Sequence, residues 1–424
     1  MDNSSQLNDS ASMLSLFLLD GSRFAVPING YLMPLIAIVT LVNNALVLAI
    51  LLRRQMRSPT NVILTALAIS DTLTIVCPVP CFVYFYTVGQ RYLDWVPYSW
   101  CFAYFCLTDY LPTVFHSASI WLTASLAVQR YVCVCCPVGS TIRRRLCTMR
   151  STIYVIAGVY VAAIASQACR FGELTFSSVH APSLMSSNHD DNDDGNGTAA
   201  AVEVTACWYE MSPFVLRYQT VYYSIYYWSR VLLIHIIPCS ALVVVNAGLI
   251  RTMQAARRRR RQLSQPMLVI QQLNTSVTET RASQYEMQPM SSSPQARTPA
   301  APAAPAPNPS CQQASKGDSS TRATMMLVIV VGVFLVVEVP LSVLLLFVII
   351  ENTFHVDMFS DATRHTAAIF VNCCIAITYP LNFFIYCTMS QRFRHMFCDL
   401  FSRRTNLTTP LPVAAPRSAR IELQ

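Results

Sequence analysis

Residues 101–137, CFAYFCLTDYLPTVFHSASIWLTASLAVQRYVCVCCP, restrict what this chain can fold into. They form an apolar run ending in Gln129-Arg130-Tyr131. It is longer than the roughly 20 residues a bilayer-spanning helix needs. An arginine at the membrane centre costs roughly 2.5–3.5 kcal/mol on insertion scales. Arg130 therefore belongs at the exit of the run, where it meets water or a partner.

The rest of the chain has the same character. Of its 424 residues, 53% are hydrophobic and only 12% are charged, about half the charged share of a soluble domain. Six further apolar runs lie near residues 28–52, 62–85, 153–168, 226–250, 325–350 and 367–387. The expected fold is an all-α membrane protein, a seven-transmembrane helix bundle over 28–388. Residues 1–27 form a polar extracellular tail. Residues 389–424 hold a short amphipathic helix and a tail, because SQRFRHMFCDLF interleaves aromatic and basic side chains as an interfacial helix does. Cys398 in that helix is a candidate for acylation.

Charge orients the spans. Arg53, Arg54 and Arg57 follow the first, Arg143, Arg144, Arg145 and Arg150 the third, Arg257 to Arg261 the fifth, and Arg392, Arg394, Arg403 and Arg404 the seventh. The alternate connections carry acids, among them Asp190, Asp191, Asp193, Asp194, Glu203 and Glu210. The positive-inside rule then puts the N-terminus outside and the C-terminus in the cytoplasm. Asn3, Asn8 and Asn196 head glycosylation tripeptides on the outer side. The net charge of +8 does not point to nucleic acid, because the basic residues sit beside apolar spans where lipid headgroups lie. The 16 cysteines show no zinc spacing and read mostly as small core residues. The short apolar run at 13–19 lacks a basic n-region, so no cleaved signal peptide is expected. Residues 251–322, which drift into APAAPAPNP, are expected to be a disordered basic cytoplasmic loop.

Several motifs, in order on the right spans, resemble the rhodopsin-like G-protein-coupled receptors. Asn44 stands in NNALV, Asp71 in LAISD, and Gln129-Arg130-Tyr131 where that family has Asp-Arg-Tyr. Pro238 and Pro340 match the prolines of spans five and six, and Asn382 and Tyr386 in NFFIY match the ends of NPxxY. The departures are informative. Glu338 replaces a tryptophan, Phe383 replaces the NPxxY proline with Pro380 nearby, and Gln129 replaces an acid. With MRSPTN, SRVLLIHIIPC, FLVVEVPLSV and YPLNFFIYCTMSQRFR, they are similar to the invertebrate sex peptide receptor, or myoinhibitory peptide (allatostatin-B) receptor, group.

That resemblance implies a plasma-membrane receptor, not an enzyme, for an amidated neuropeptide. It implies coupling to a heterotrimeric G protein, mainly Gi/o, with arrestin as a further partner. It also implies a disulfide between Cys101, at the outer end of span three, and Cys207 in the following outer loop, with Cys106 as a rival for Cys101. In the family, Asn44, Asp71, Ser119 and Asn382 belong to a polar network that often binds sodium; the competing reading is a purely structural hydrogen-bonded cluster. A sodium ion near Asp71 is the sole inorganic ligand considered, and no other cofactor is expected. The coupling set is Gln129, Arg130, Tyr131, Asn246, Phe334, Pro340, Asn382 and Tyr386.

Ionisable residues inside apolar spans mark function and face the bundle interior. Here they are Asp109, His116, Arg230, His235 and Glu338. Arg230 is expected to reach Glu338 or Asp109, either as a lock between helices or as part of the ligand site. The candidate ligand contacts are Asp109, Thr113, His116, Tyr227, Arg230 and Glu338. The tyrosines at the mouth of span five line a peptide cleft or form an interfacial belt.

Other classes fit less well. A secondary transporter would show internal repeats and interrupted helices. A retinal pigment would need a lysine in span seven, and the chain's one lysine is Lys316. A biogenic amine receptor would have an aspartate where Pro112 stands. Within receptors, the alternative is an FMRFamide-like or myosuppressin receptor.

Overall fold

A computed structural model describes residues 24–88, 96–137, 139–182, 203–256, 258–259, 262, 309–354 and 358–405. Asn3, Asn8 and Asn196, most of the 251–322 loop and the tail beyond 405 lie outside the described residues.

Among the described residues, seven helices are long and apolar enough to cross a membrane: Val26–Leu51, Pro59–Val88, Tyr98–Cys135, Met149–Gly172, Gln219–Ala256, Val328–Glu351 and Thr366–Thr388. Their many exposed Ile, Leu and Val side chains, such as Leu35, Ile38, Val161 and Val244, are what a lipid solvent accepts. Local signals set the ends. Ser58 and Thr148 cap spans two and four through Asn61 N and Ser151 N, and Pro59 occupies the first turn of span two. Ser360 caps the helix Asp361–Met389 in the same way. The short helix after the seventh span, Gln391–Thr405, buries Phe393 while Arg392 and Arg394 stay outside.

Spans one, two, three and five each contain wider, π-type turns, at Val26–Leu32, Val83–Val88, Cys106–Tyr110 and Arg230–Ile236. Such turns add a residue to the helix and recur at functional sites.

The chain divides into two units. The first comprises Met1–Phe115, Leu174–Glu210 and Phe359–Gln424. Its outer end holds the strands β1 (Leu174–Pro182) and β2 (Glu203–Met211), which pair into a two-stranded sheet. Cys207 is bonded to Cys101, with Cα atoms 5.6 Å apart, while its N–H donates to Val96 O at 2.8 Å. The bridge is buried among Cys81, Phe85, Tyr86 and Tyr104. Cys106, the rival, is a free thiol. The second unit comprises His116–Glu173 and Met211–Met358.

Two expectations need correction. The stretch 251–322 is not irregular throughout, because span five continues to Ala256 and the sixth helix begins at Pro309. Proline at a first helical position is pre-organised for helix, and QQASKGDSSTRATMM after it contains no further proline. The sheet between spans four and five was not foreseen, although TFSSV and EVTACWYEM contain residues that favour strands.

Candidate functional site

Glu338 is the most constrained side chain of the second unit. It lies on span six, two residues before Pro340, and is 1% exposed. A buried carboxylate needs polar partners, and the neighbouring helices supply two imidazoles. His116 Nε2 of span three lies 3.3 Å from Oε1, and His235 Nδ1 of span five lies 3.3 Å from Oε2. Each histidine faces a different oxygen at ion-pair distance, and neither contact has hydrogen-bond geometry. Pro340 breaks the helical ladder two residues further out along the same helix, and Ser342 Oγ donates to the Glu338 carbonyl at 2.8 Å.

The expected Arg230–Glu338 pair does not form. Arg230 precedes His235 by five residues, which places it more than one turn further out along span five. Its Nη1 donates to Tyr226 Oη at 2.9 Å, and its buried Nε has no hydrogen-bond partner among the described residues.

Around Tyr226 runs a network that the sequence reading did not single out. Arg170 Nε pairs with Glu173 Oε2 at 2.8 Å, and Arg170 Nη1 donates to Tyr226 Oη at 3.1 Å. Tyr226 Oη lies 3.4 Å from Gln167 Oε1, and Tyr223 Oη donates to Glu173 Oε1 at 2.8 Å. Tyr227, a candidate contact, stacks on Tyr223 with ring centroids 5.7 Å apart. The tyrosine row at the mouth of span five is therefore split, with Tyr226 buried and Trp228 facing outward. A cavity of about 580 Å³ adjoins it, lined by Ser166, Cys169, Tyr218, Tyr222 and Ile225 among others. The signal for the network was Arg170 and Glu173 three apart at the end of an apolar span.

The first unit holds the other candidates. Thr113 Oγ1 donates to Asp109 Oδ1 at 3.5 Å, a long contact within one helical turn. Asp71 is buried and accepts from Asn382 Nδ2 at 3.1 Å. Asn44 Nδ2 donates to Thr72 Oγ1 at 2.9 Å and to Ala68 O at 3.3 Å. Tyr386 is buried, and its ring packs on Phe393 of the following helix. Phe383, where the family has a proline, packs on Phe384, Phe393 and Phe397. Ser119 is buried in the second unit.

The opposite end of the second unit holds the coupling candidates. Gln129 is buried, and its Nε2 donates to Thr152 Oγ1 at 2.9 Å and to Leu146 O at 3.4 Å. The buried Nε of Arg130 has no hydrogen-bond partner among the described residues. Tyr131 lies so close to Gly248 of span five that a Cβ there would stand 2.7 Å from its ring. Asn246 Nδ2 bonds Leu242 O at 2.7 Å, and Phe334 packs on the cluster of Ala124, Ala127, Leu242 and Val331.

Comparison with known proteins fits this arrangement. Residues 31–280 match the family described as serpentine-type 7TM GPCR chemoreceptor Srw. The chain is 30% identical over 384 residues to the Sex peptide receptor of Drosophila melanogaster, covering 90% of this chain and 74% of that one. It is 27% identical to Sex peptide receptor-related protein 2 of Caenorhabditis elegans, over 89% of this chain and 72% of that one. It is also 29% identical to the FMRFamide receptor of Drosophila melanogaster, over 58% of this chain and 41% of that one.

The histidine–carboxylate contacts make a stability prediction. The double variant His116→Phe with His235→Phe leaves the buried Glu338 without either polar neighbour, which should destabilise the protein by about 1–3 kcal/mol. Adding Glu338→Leu should restore most of that loss. Thermal melting of the purified protein in detergent checks both steps. A triple variant no more stable than the double would mean that the imidazoles do not hold the carboxylate.

Proposed function

Because the chain belongs to the serpentine seven-transmembrane G-protein-coupled receptor family, we propose that it is a neuropeptide receptor for an amidated, myoinhibitory-type peptide. It acts at the plasma membrane through heterotrimeric G proteins, mainly of the Gi/o class. Its N-terminus is extracellular and its C-terminus cytoplasmic, as the arginine-rich connections favour. Arrestin would read the same cytoplasmic face, and a sodium ion beside the buried Asp71 belongs to the same proposal.

The observation that carries this reading is the pairing of Glu338 with two histidines, below an arginine whose buried Nε is unused. A peptide amide supplies N–H donors and one carbonyl acceptor, with no charge to repel Glu338. Its N–H groups can donate to that carboxylate and its carbonyl can accept from Arg230. Peptide aromatic side chains have a stacking surface in Tyr223 and Tyr227.

Activation is a shift between two packings of the bundle, limited by the ligand's differential affinity for them. Replacing a histidine contact at Glu338 with a ligand contact alters span six beside Pro340, where the helical ladder is already broken. Phe334, about one turn below Glu338, repacks against spans three and five. The altered face then presents Arg130, Tyr131 and Asn246 to the G protein. An FMRFamide-like ligand is the second reading, favoured by the name of one relative.

Two experiments test the proposal. The amidated peptide should activate the receptor, and its free-acid form should be at least about tenfold weaker, roughly 1.4 kcal/mol. Glu338→Gln should lower potency while surface expression is kept. Dose–response curves with a G-protein readout check both, and equal potency of amide and acid would sink the pocket model. Silence toward every tryptophan-spaced peptide would favour the FMRFamide-like ligand.

Gln129→Glu addresses the coupling end. The carboxylate cannot donate to Thr152 or Leu146 as Gln129 does, and it can pair with the neighbouring Arg130. Ligand-independent signalling should fall about fivefold, a coupling of roughly 1 kcal/mol. Unchanged or raised basal signalling at matched surface expression would show that other groups govern Arg130.

A further inference from the structure

Besides the outer bridge there is a second disulfide, between Cys133 and Cys147, with Cα atoms 6.6 Å apart. Cys133 lies three residues beyond Arg130 on span three. Cys147 directly follows the short helix Thr141–Leu146 in the connection to span four. Both residues are half-buried, so a small thiol reagent can reach them. This end of the unit is the one the proposed topology puts in the cytoplasm, and the inference rests on that reading. Cytosolic thiols are kept reduced, and the disulfides that do form there are mostly transient or redox-sensing.

We infer that Cys133 and Cys147 are a reversible oxidation site that controls how well the Arg130 face couples to G protein. The oxidant is glutathione disulfide. One cysteine sulfur attacks it, forming a mixed disulfide and releasing one glutathione. The second cysteine attacks that mixed disulfide, closing the Cys133–Cys147 bond and releasing another glutathione. The two protons lost by the cysteines end on the two glutathione thiols, and reduction runs the same steps backwards. Arg143, Arg144, Arg145 and Arg150 flank Cys147 and attract the anionic tripeptide.

The bridge reaches the coupling face through named contacts. Leu146, next to Cys147, accepts from Gln129 through its carbonyl at 3.4 Å. Arg143 Nη1 donates to Cys136 O at 3.3 Å, so the short helix is already fastened to the end of span three. A covalent tie added to these bonds fixes the connection beside Arg130 and Tyr131. Any partner that needs this connection to move must then work against a bond rather than weak contacts. Oxidation therefore lowers coupling. Cys135 and Cys136 are free thiols nearby and serve as internal controls.

The test uses the full-length receptor. Differential alkylation and peptide mapping by mass spectrometry first report the state of Cys133 and Cys147 in cells. After mild reduction with glutathione, a membrane-impermeant maleimide should label them only in permeabilised cells, and labelling of intact cells would overturn the topology and this inference with it. Permeabilised membranes are then equilibrated with glutathione disulfide, the oxidant is removed, and Gi protein is added. Basal nucleotide exchange should fall at least about fivefold as the bridge forms. It should recover with reduced glutathione while Cys101–Cys207 stays closed. Cys147→Ser and Cys133→Ser should abolish the sensitivity, and Cys135→Ser with Cys136→Ser should keep it. Bridge formation without a change in exchange would overturn the inference, as would a failure to form the bridge with the topology upheld. Neither outcome depends on the identity of the peptide.

Discussion

A carboxylate in the middle of a membrane-spanning helix cannot be left bare. In lipid or in a dry bundle its charge goes unsolvated, so the fold must bring polar groups to it. Glu338 imposes this requirement on span six, and His116 and His235 meet it from spans three and five. Spans three, five and six of the second unit thus meet at one level through polar side chains. Below it they pack through the apolar cluster of Ala124, Ala127, Leu242 and Val331 with Phe334. An apolar contact can slide, whereas a histidine–carboxylate contact has to be exchanged for another polar contact. That difference makes the Glu338 level a natural place for a ligand to act.

Further out, the constraint takes another form. Arg170, Glu173, Tyr223, Tyr226 and Arg230 form one polar network between the ends of spans four and five. Two arginines share the Tyr226 hydroxyl and one carboxylate offsets their charge, so this layer has excess donor capacity. A ligand carbonyl is the kind of group such a layer accepts. The polar layer of spans four and five and the broken ladder at Pro340 of span six both lie on the outer side of Glu338, so ligand chemistry and helix deformability sit close together.

The spans and the small helix after the seventh were legible because apolar length and arginine placement are strong signals that tertiary contacts seldom override. Glu338, His116 and Arg230 were legible as anomalies, since charge inside an apolar run stands out. Their pairing was not. Sequence spacing gave Arg230 the reach to Glu338, but the long guanidinium side chain found the Tyr226 hydroxyl one turn away. The imidazole of His235, one turn further in, faced the carboxylate instead. Cys133 was hidden in the run CVCC, where nothing distinguishes one thiol from the next until the loop brings Cys147 beside it. The two-stranded sheet escaped because short strands separated by an acidic stretch look like loop in one dimension.

The account rests on Glu338 being the point where ligand contact is converted into movement of span six. The most direct measurement is an experimental structure of the receptor with an amidated peptide and G protein bound. The account predicts the peptide's terminal amide within hydrogen-bond distance of Glu338 or Arg230, with at least one histidine contact to Glu338 opened. A bound, active complex in which both histidines remain at about 3.3 Å from Glu338 and the peptide end lies elsewhere would contradict it.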